Sequence, residues 1–237
     1  MARCQKQGTK QELLEAGMKI MQEKGYTNSG IQQVLDAVGV PKGSFYHYFE
    51  SKEEFALEII QHYDCNCTEA ILGCLRDPAY TPLQRMRNYC LAGREKISKG
   101  SCTGGCLIGN LSQEMASQSE RLRQKLDDVF IRWRDLFAVA IAEGQASGEI
   151  DSRYEAVELA ELFLSGWEGA VLRAKSTRST RPIDNFIKVV FGFMAEPLND
   201  FPSFQSDLCN QVGGGENAVP IMAPDVERIL GRPLPRV

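Results

Sequence analysis

Histidine is nearly missing: His47 and His62 are the only two in 237 residues. With so few histidine bases, and with no glycine-rich loop to cradle a phosphate, the chain offers little from which to build a catalytic centre. No enzymatic activity is expected. Also absent is any unbroken apolar run of the ~18 residues that a bilayer crossing requires. The first residues, Met1 to Lys10, lack the apolar stretch of a secretory leader. These absences predict a cytoplasmic protein with no membrane partner. Strong charge of either sign is missing too. A net charge of −4 and a pI near 5.4 argue against indiscriminate nucleic-acid binding by the whole surface.

Cysteine, by contrast, is plentiful: Cys4, Cys65, Cys67, Cys74, Cys90, Cys102, Cys106 and Cys209. In a reducing compartment most of these behave as small buried hydrophobes. A metal centre among His62, Asp64, Cys65, Cys67 and Cys74 fails on geometry. Residues 65 and 67 point about 200° apart on a helix, whereas zinc needs ligands that converge. No metal and no cofactor are expected.

The apolar spacing reads as helix throughout, so the predicted class is all-α. Leu13, Gly17, Ile20 and Met21 share a face of a first helix ending near Gly25. A short second helix covers about 29–38, with Ser29 as its expected N-cap and Gly39 as its stop. A third carries Lys42 to Phe49. Ser51 caps a long fourth helix, with Glu54 placed to complete a capping box. Further helices are predicted over about 82–98, from about Cys106, from about Leu122 to a stop at Gly148, and over about 154–174 and 183–194. The last two are apolar around more than half their circumference, so a second partner must cover what the core does not. A second copy of the chain is the expected partner. After Glu196 the composition changes: six of the ten prolines lie there, along with Gly213, Gly214 and Gly215. This segment, 196–237, is expected to be a flexible tail with at most a short helix near 225–230. The predicted organisation is an amino-terminal unit over 1–52, a larger helical unit over 53–195 that holds the expected pairing surface, and the tail.

Residues 29–52, SGIQQVLDAVGVPKGSFYHYFESK, pair two short helices across a glycine-containing turn, the pattern of a helix-turn-helix. Such a unit presents the start of its second helix to base edges in the major groove. Lys42, Gly43 and Ser44 occupy that first turn. Tyr46, His47 and Tyr48 put polar tips on its flank, where they can hold phosphates. Lys52 opens the fourth helix beside free amides that suit a phosphate. An aromatic stripe of this kind can equally be plain core. The first 52 residues hold seven Lys or Arg against five acids, too small an excess to identify a nucleic-acid binder by charge alone.

The full string resembles the tetracycline-repressor (TetR) family over about residues 8–60: a Gly-Val turn, a Lys-Gly-Ser first turn, a Tyr-x-x-Phe and then Ser-Lys-Glu. The resemblance implies a three-helix DNA-binding domain ahead of a helical ligand-binding and dimerisation domain. It also implies a homodimer and a near-palindromic double-stranded operator. Ser29, Lys42, Gly43, Ser44, Tyr46, His47 and Lys52 match family DNA-contact positions, and Phe45 and Phe49 match core positions. Pro41 stands where many members carry a Ser or Thr hydroxyl. A helical dimeric adaptor or chaperone-like protein is the alternative.

The second informative stretch runs from Ser101 to Glu114. Gly104 and Gly105 loosen the entry to a helix, which puts Cys106 at its positive end. That position favours thiolate, with Cys102 near enough to act as a resolving partner. Simple packing of Cys106 is the other reading. GCLIGNLSQE, together with PKGSFYHYF, resembles a TetR subgroup of N-ethylmaleimide-responsive (NemR-like) and acrylate-responsive (AcuR-like) repressors. The resemblance implies a reactive electrophile sensed at Cys106. A noncovalent inducer is the competing expectation, in a pocket lined by Tyr89, Trp133, Phe163 and Trp167 with Asn110 and Arg134 as polar members.

Overall fold

A computed structural model describes residues 8–195, and everything among them is helix, turn or coil. The expected tail and its short helix, with Cys4 and Cys209, lie outside these residues. Three short helices come first: α1 (Thr9–Lys24), α2 (Ile31–Val38) and α3 (Lys42–Tyr48). Six more follow: α4 (Lys52–Leu75), α5 (Pro82–Lys99), α6 (Leu107–Met115), α7 (Glu120–Ala146), α8 (Ala156–Thr177) and α9 (Arg181–Ala195). No described helix is long and apolar enough to cross a membrane.

The amino-terminal unit closes around phenylalanine. Phe45 and Phe49, on either side of the last turn of α3, meet Phe55 of α4 at ring separations of 5.0 and 4.7 Å. Leu13 and Met21 of α1 and Val34 and Leu35 of α2 are buried in the same core. Gly39 ends α2 in the left-handed region (φ 76°), where a β-carbon would be strained, and its N–H returns to Leu35 O at 2.8 Å. Ser29 does not cap α2. The helix starts one residue later, after Gly30, because the Ser29 hydroxyl is donated backward to Tyr26 O at 2.7 Å. Ser51 does cap α4, accepting from Glu54 N at 3.0 Å. The reciprocal half of the expected box is missing. Glu54 turns to Arg121 of α7 at 3.0 Å, where a full opposite charge is available.

α7 is the axis of the larger unit: its 27 residues extend about 40 Å at ~1.5 Å per residue. Leu122, Leu126, Val129, Trp133, Phe137, Ala140 and Ile141, spaced by three and four, form its buried stripe, with Phe130 half-buried beside it. α4, α5, α6 and α8 all pack on α7, and α9 packs on α8 and α5. An ion pair between buried Asp64 and the exposed Arg132 fixes α4 to α7. The Asp64 carboxylate accepts from Arg132, from Trp133 Nε1 at 2.8 Å and from Thr68 Oγ1 at 3.1 Å. These bonds commit the carboxylate that the sequence had offered as a metal ligand. α8 and α9 keep an outward apolar face, with Leu162 and Leu172 on one helix and Val189 on the other exposed.

Phe45 is fully buried, so Phe45→Ala is expected to cost about 3–5 kcal/mol of stability. Thermal or urea denaturation measures this, and a variant within about 1 kcal/mol of wild type would remove Phe45 from the core.

Candidate functional sites

The outer face of α3 carries the polar residues of the motif. Lys42, Gly43, Tyr46, His47 and Tyr48 are exposed, and Ser44 is half-buried. Phe45 and Phe49 alternate inward, so the aromatic run divides into a core pair and a surface set. On the surface, Lys42 Nζ lies 5.9 Å from the Tyr46 ring and His47 stacks edge-on to Tyr48 at 4.7 Å. No atom lies within 4 Å of the position a β-carbon at Gly43 would take, so the start of α3 is open to close approach. Two predicted contacts sit differently. Ser29 is 1% exposed with its hydroxyl already bonded, so its side chain braces the turn and is not offered to a partner. Lys52 is half-buried, with its ammonium 4.5 Å from the Tyr26 ring and 3.4 Å from Thr27 O. Burial lowers its pKa, opposed by the Glu114 charge.

Glu114, near the end of α6, bonds the turn of this unit to the rest of the chain. Its two carboxylate oxygens accept from Tyr26 N and Thr27 N, each at 2.7 Å. Gly25 makes the contact fit. Its φ of 79° turns the chain, and a β-carbon there would come within 2.5 Å of Glu114 Oε2. Burial pushes the Glu114 carboxyl up, but the hydrogen bonds from the turn and the Lys52 charge together outweigh it and hold it below the usual carboxylate range. The opposite end of α6 is tied to the same helix: Gln22 Nε2 of α1 donates to Gly105 O at 2.7 Å.

Gly105 and Cys106 border a cavity of about 470 Å³, partly open to solvent, walled by α1, α4, α5, α7, α8 and the loop that leads into α6. α4 contributes Tyr63 and Cys67, α5 contributes Tyr89, α7 contributes Trp133, and α8 contributes Trp167 and Glu168. Cys102 and Cys106 complete the wall, and the exposed charges Lys19, Glu23 and Lys96 stand at the mouth. Of the expected pocket members, Tyr89, Trp133 and Trp167 are therefore brought together with both cysteines, and three are not. Phe163 packs between Phe137 and Phe186 at 4.7 and 5.6 Å. Asn110 lies behind the wall, its amide donated to Gly104 O at 3.0 Å, where it holds the glycine loop. Arg134 faces away and pairs with Asp135 at 2.7 Å. A second hollow of about 550 Å³, an open groove between α5 and α9, includes none of the predicted sensor residues.

Cys106 is the N-cap of α6, as expected from the glycine loop, but its thiol is not ionised. Burial and the neighbouring Glu168 carboxylate push its pKa well above the ordinary thiol value, outweighing the Gly109 amide that favours thiolate. Its residual exposure is to the cavity, so the surrounding protein, not solvent, sets its proton affinity. Burial likewise raises Cys67 to about 11. The sequence reading missed Glu168. It accepts a hydrogen bond from Cys106, and burial raises its pKa to about 7. Its signal was present: a lone carboxylate flanked by Leu164, Trp167 and Val171 on the buried side of α8.

Residues 13–59 match the family described as bacterial regulatory proteins, tetR family, and residues 82–190 match the tetracyclin repressor-like C-terminal domain. The transcriptional regulator AcuR of Cereibacter sphaeroides is 38% identical over 75% of this chain and 81% of its own length. The transcriptional repressor DhaR of a Mycobacterium species is 37% identical over 77% and 90%. The solved structure of reduced Escherichia coli NemR, 28% identical, superposes with a TM-score of 0.75 over 81% of this chain and 99% of that one.

Because Cys106 is held protonated while Cys65 is exposed, a maleimide at neutral pH is expected to label Cys65 first. Cys106 labelling should accelerate as pH rises through the alkaline range, since the thiolate is the nucleophile. Peptide mass spectrometry over time measures both rates. Preferential labelling of Cys106 at pH 7 would show a thiolate that the buried geometry opposes.

Proposed function

The chain belongs to the tetracycline-repressor family and is a DNA-binding transcriptional regulator; on that premise we propose that it represses from a near-palindromic operator as a homodimer and leaves the DNA when a small molecule fills the α4–α8 cavity. Lys42, Gly43, Ser44, Tyr46 and His47 of each protomer are the proposed base and phosphate contacts. Lys52, and Ser29 through its position in the turn, hold α2 and α3 in place for them. One short recognition helix reads only a few base pairs, so two copies, about one helical turn of DNA or a multiple apart, must engage together. The outward apolar residues of α8 and α9 are the surface proposed to pair the copies. Family membership displaces the adaptor alternative.

The observation that carries the sensing half of this reading is the placement of α6. Its N-cap, Cys106, lines the cavity, and Glu114 near its other end holds the α1–α2 turn. A ligand that displaces α6 therefore acts on the helix-turn-helix without touching its DNA face. Covalent capture of an electrophile at Cys106 requires a thiolate, which burial and Glu168 disfavour. Noncovalent filling of the cavity is the reading the geometry supports.

Lys42→Ala and Tyr46→Ala are each expected to weaken binding to the chain's own upstream DNA by about 1–3 kcal/mol, with Lys42→Ala also lowering the salt dependence. Fluorescence anisotropy across a salt series measures this, with sedimentation confirming that the variants still dimerise. Unchanged affinity and salt slope would reject α3 as the reading element. Glu114→Gln removes the charge and replaces one of the two acceptor oxygens by a donor; it is expected to cost about 1.5–3 kcal/mol in stability and to blunt inducer-driven release. An inducer titration identical to wild type would reject α6 as the link.

A further inference from the structure

We propose that the ligand of this cavity is a small organic cation, an amine or quaternary ammonium group, held by Glu168 as counter-ion against the rings of Tyr63, Tyr89, Trp133 and Trp167. The inference rests on reading this cavity as the sensor and names the chemistry of its ligand. Four large aromatic side chains line this one cavity, in two pairs. Tyr63 and Trp133 lie 6.4 Å apart, centroid to centroid, and Tyr89 and Trp167 lie 5.9 Å apart. Aromatic faces carry a negative quadrupole and attract desolvated cations more strongly than uncharged groups of the same shape. The polar atom of Trp133 is already bonded to Asp64, so that residue gives the cavity ring surface and no hydrogen-bond donor.

The wall then holds one carboxylate at depth. Among the described residues Glu168 forms no ion pair, and the Cys106 thiol is its hydrogen-bonding neighbour. Small residues at two wall positions admit the key side chains. A β-carbon at Gly109 would fall 2.5 Å from Glu168 Oε2, and one at Gly93 would fall 2.8 Å from Trp167 Cζ2. An uncompensated buried carboxylate is costly, and burial, partly offset by the Cys106 hydrogen bond, raises Glu168 to about 7. A cation placed beside it would restore the charged form and gain the pairing energy. An anionic ligand would meet the opposite: its charge would face Glu168 at depth, while Lys19 and Lys96 remain at the solvent-exposed mouth.

The chain's two tryptophans, Trp133 and Trp167, both line this cavity, so intrinsic fluorescence reports its occupancy. The test titrates the full-length dimer with choline, with dimethylbutanol as its uncharged carbon isostere, and with propionate. Operator binding is followed in parallel by anisotropy. Choline is expected to bind at least about tenfold tighter than the isostere, in line with a desolvated cation–aromatic contact. Glu168→Gln, which matches the protonated carboxyl in shape, should abolish that preference, and Glu168→Asp should keep part of it. Equal or tighter binding of the isostere or of propionate overturns the proposal, as does no fluorescence change with choline or a preference that survives Glu168→Gln. Failure of the underlying reading looks different: choline saturates the cavity with the expected Glu168 dependence, yet the operator stays bound.

Discussion

The Glu114 carboxylate joins the regulatory part of this molecule to the turn that leads into the DNA-reading helices, through two hydrogen bonds from the amides of Tyr26 and Thr27. Charge-assisted bonds of this kind are short, directional and about twice as strong as neutral ones. They are made to backbone at the turn between α1 and α2, so a displacement of α6 moves the turn itself and not merely a side chain. α2 follows that turn directly, and the Phe45, Phe49 and Phe55 cluster packs α3 against α4. The turn is thus the place where α6 touches the helix-turn-helix.

The other end of α6 enters an unusual electrostatic environment. Burial holds the Cys106 thiol protonated, and it shares its proton with a carboxyl whose pKa has itself been moved close to neutrality. A cavity with a titratable group poised in this way responds to the charge of what enters it. Aromatic walls and a lone carboxylate set the sign of that response. Asp64, next to Tyr63 and three residues before Cys67 on α4, is instead bonded to Arg132, Trp133 and Thr68. Two acids in the same bundle thus take different positions: one braces the wall and the other faces the cavity.

Much of this architecture was legible in the residues. The helix-turn-helix, the αL stop at Gly39, the Ser51 cap and the α7 stripe follow from local rules that depend on a few neighbouring side chains. The errors came where a distant partner decided the outcome. Ser29 has the composition of an N-cap, but Tyr26 O took its hydroxyl. Glu54 has the spacing of a capping box, but Arg121 of α7 drew it away. Cys106 does stand at a helix start, as read, but burial and a carboxylate from α8 raise its pKa against the pull of the helix end. Asn110 and Arg134 were grouped with the aromatic wall by sequence neighbourhood, and the fold turns them elsewhere. Glu168 was the residue a closer reading of α8 would have found, since a single charge on the buried side of an apolar helix requires an explanation.

The central claim is that filling the cavity breaks the hold of α6 on the α1–α2 turn. Residue-resolved amide hydrogen exchange tests it directly at Tyr26 and Thr27, in the operator-bound protein and after ligand-driven release. The account requires both amides to be protected on DNA and to exchange markedly faster once the cavity is occupied. Release from the operator with the protection of these two amides unchanged would contradict it.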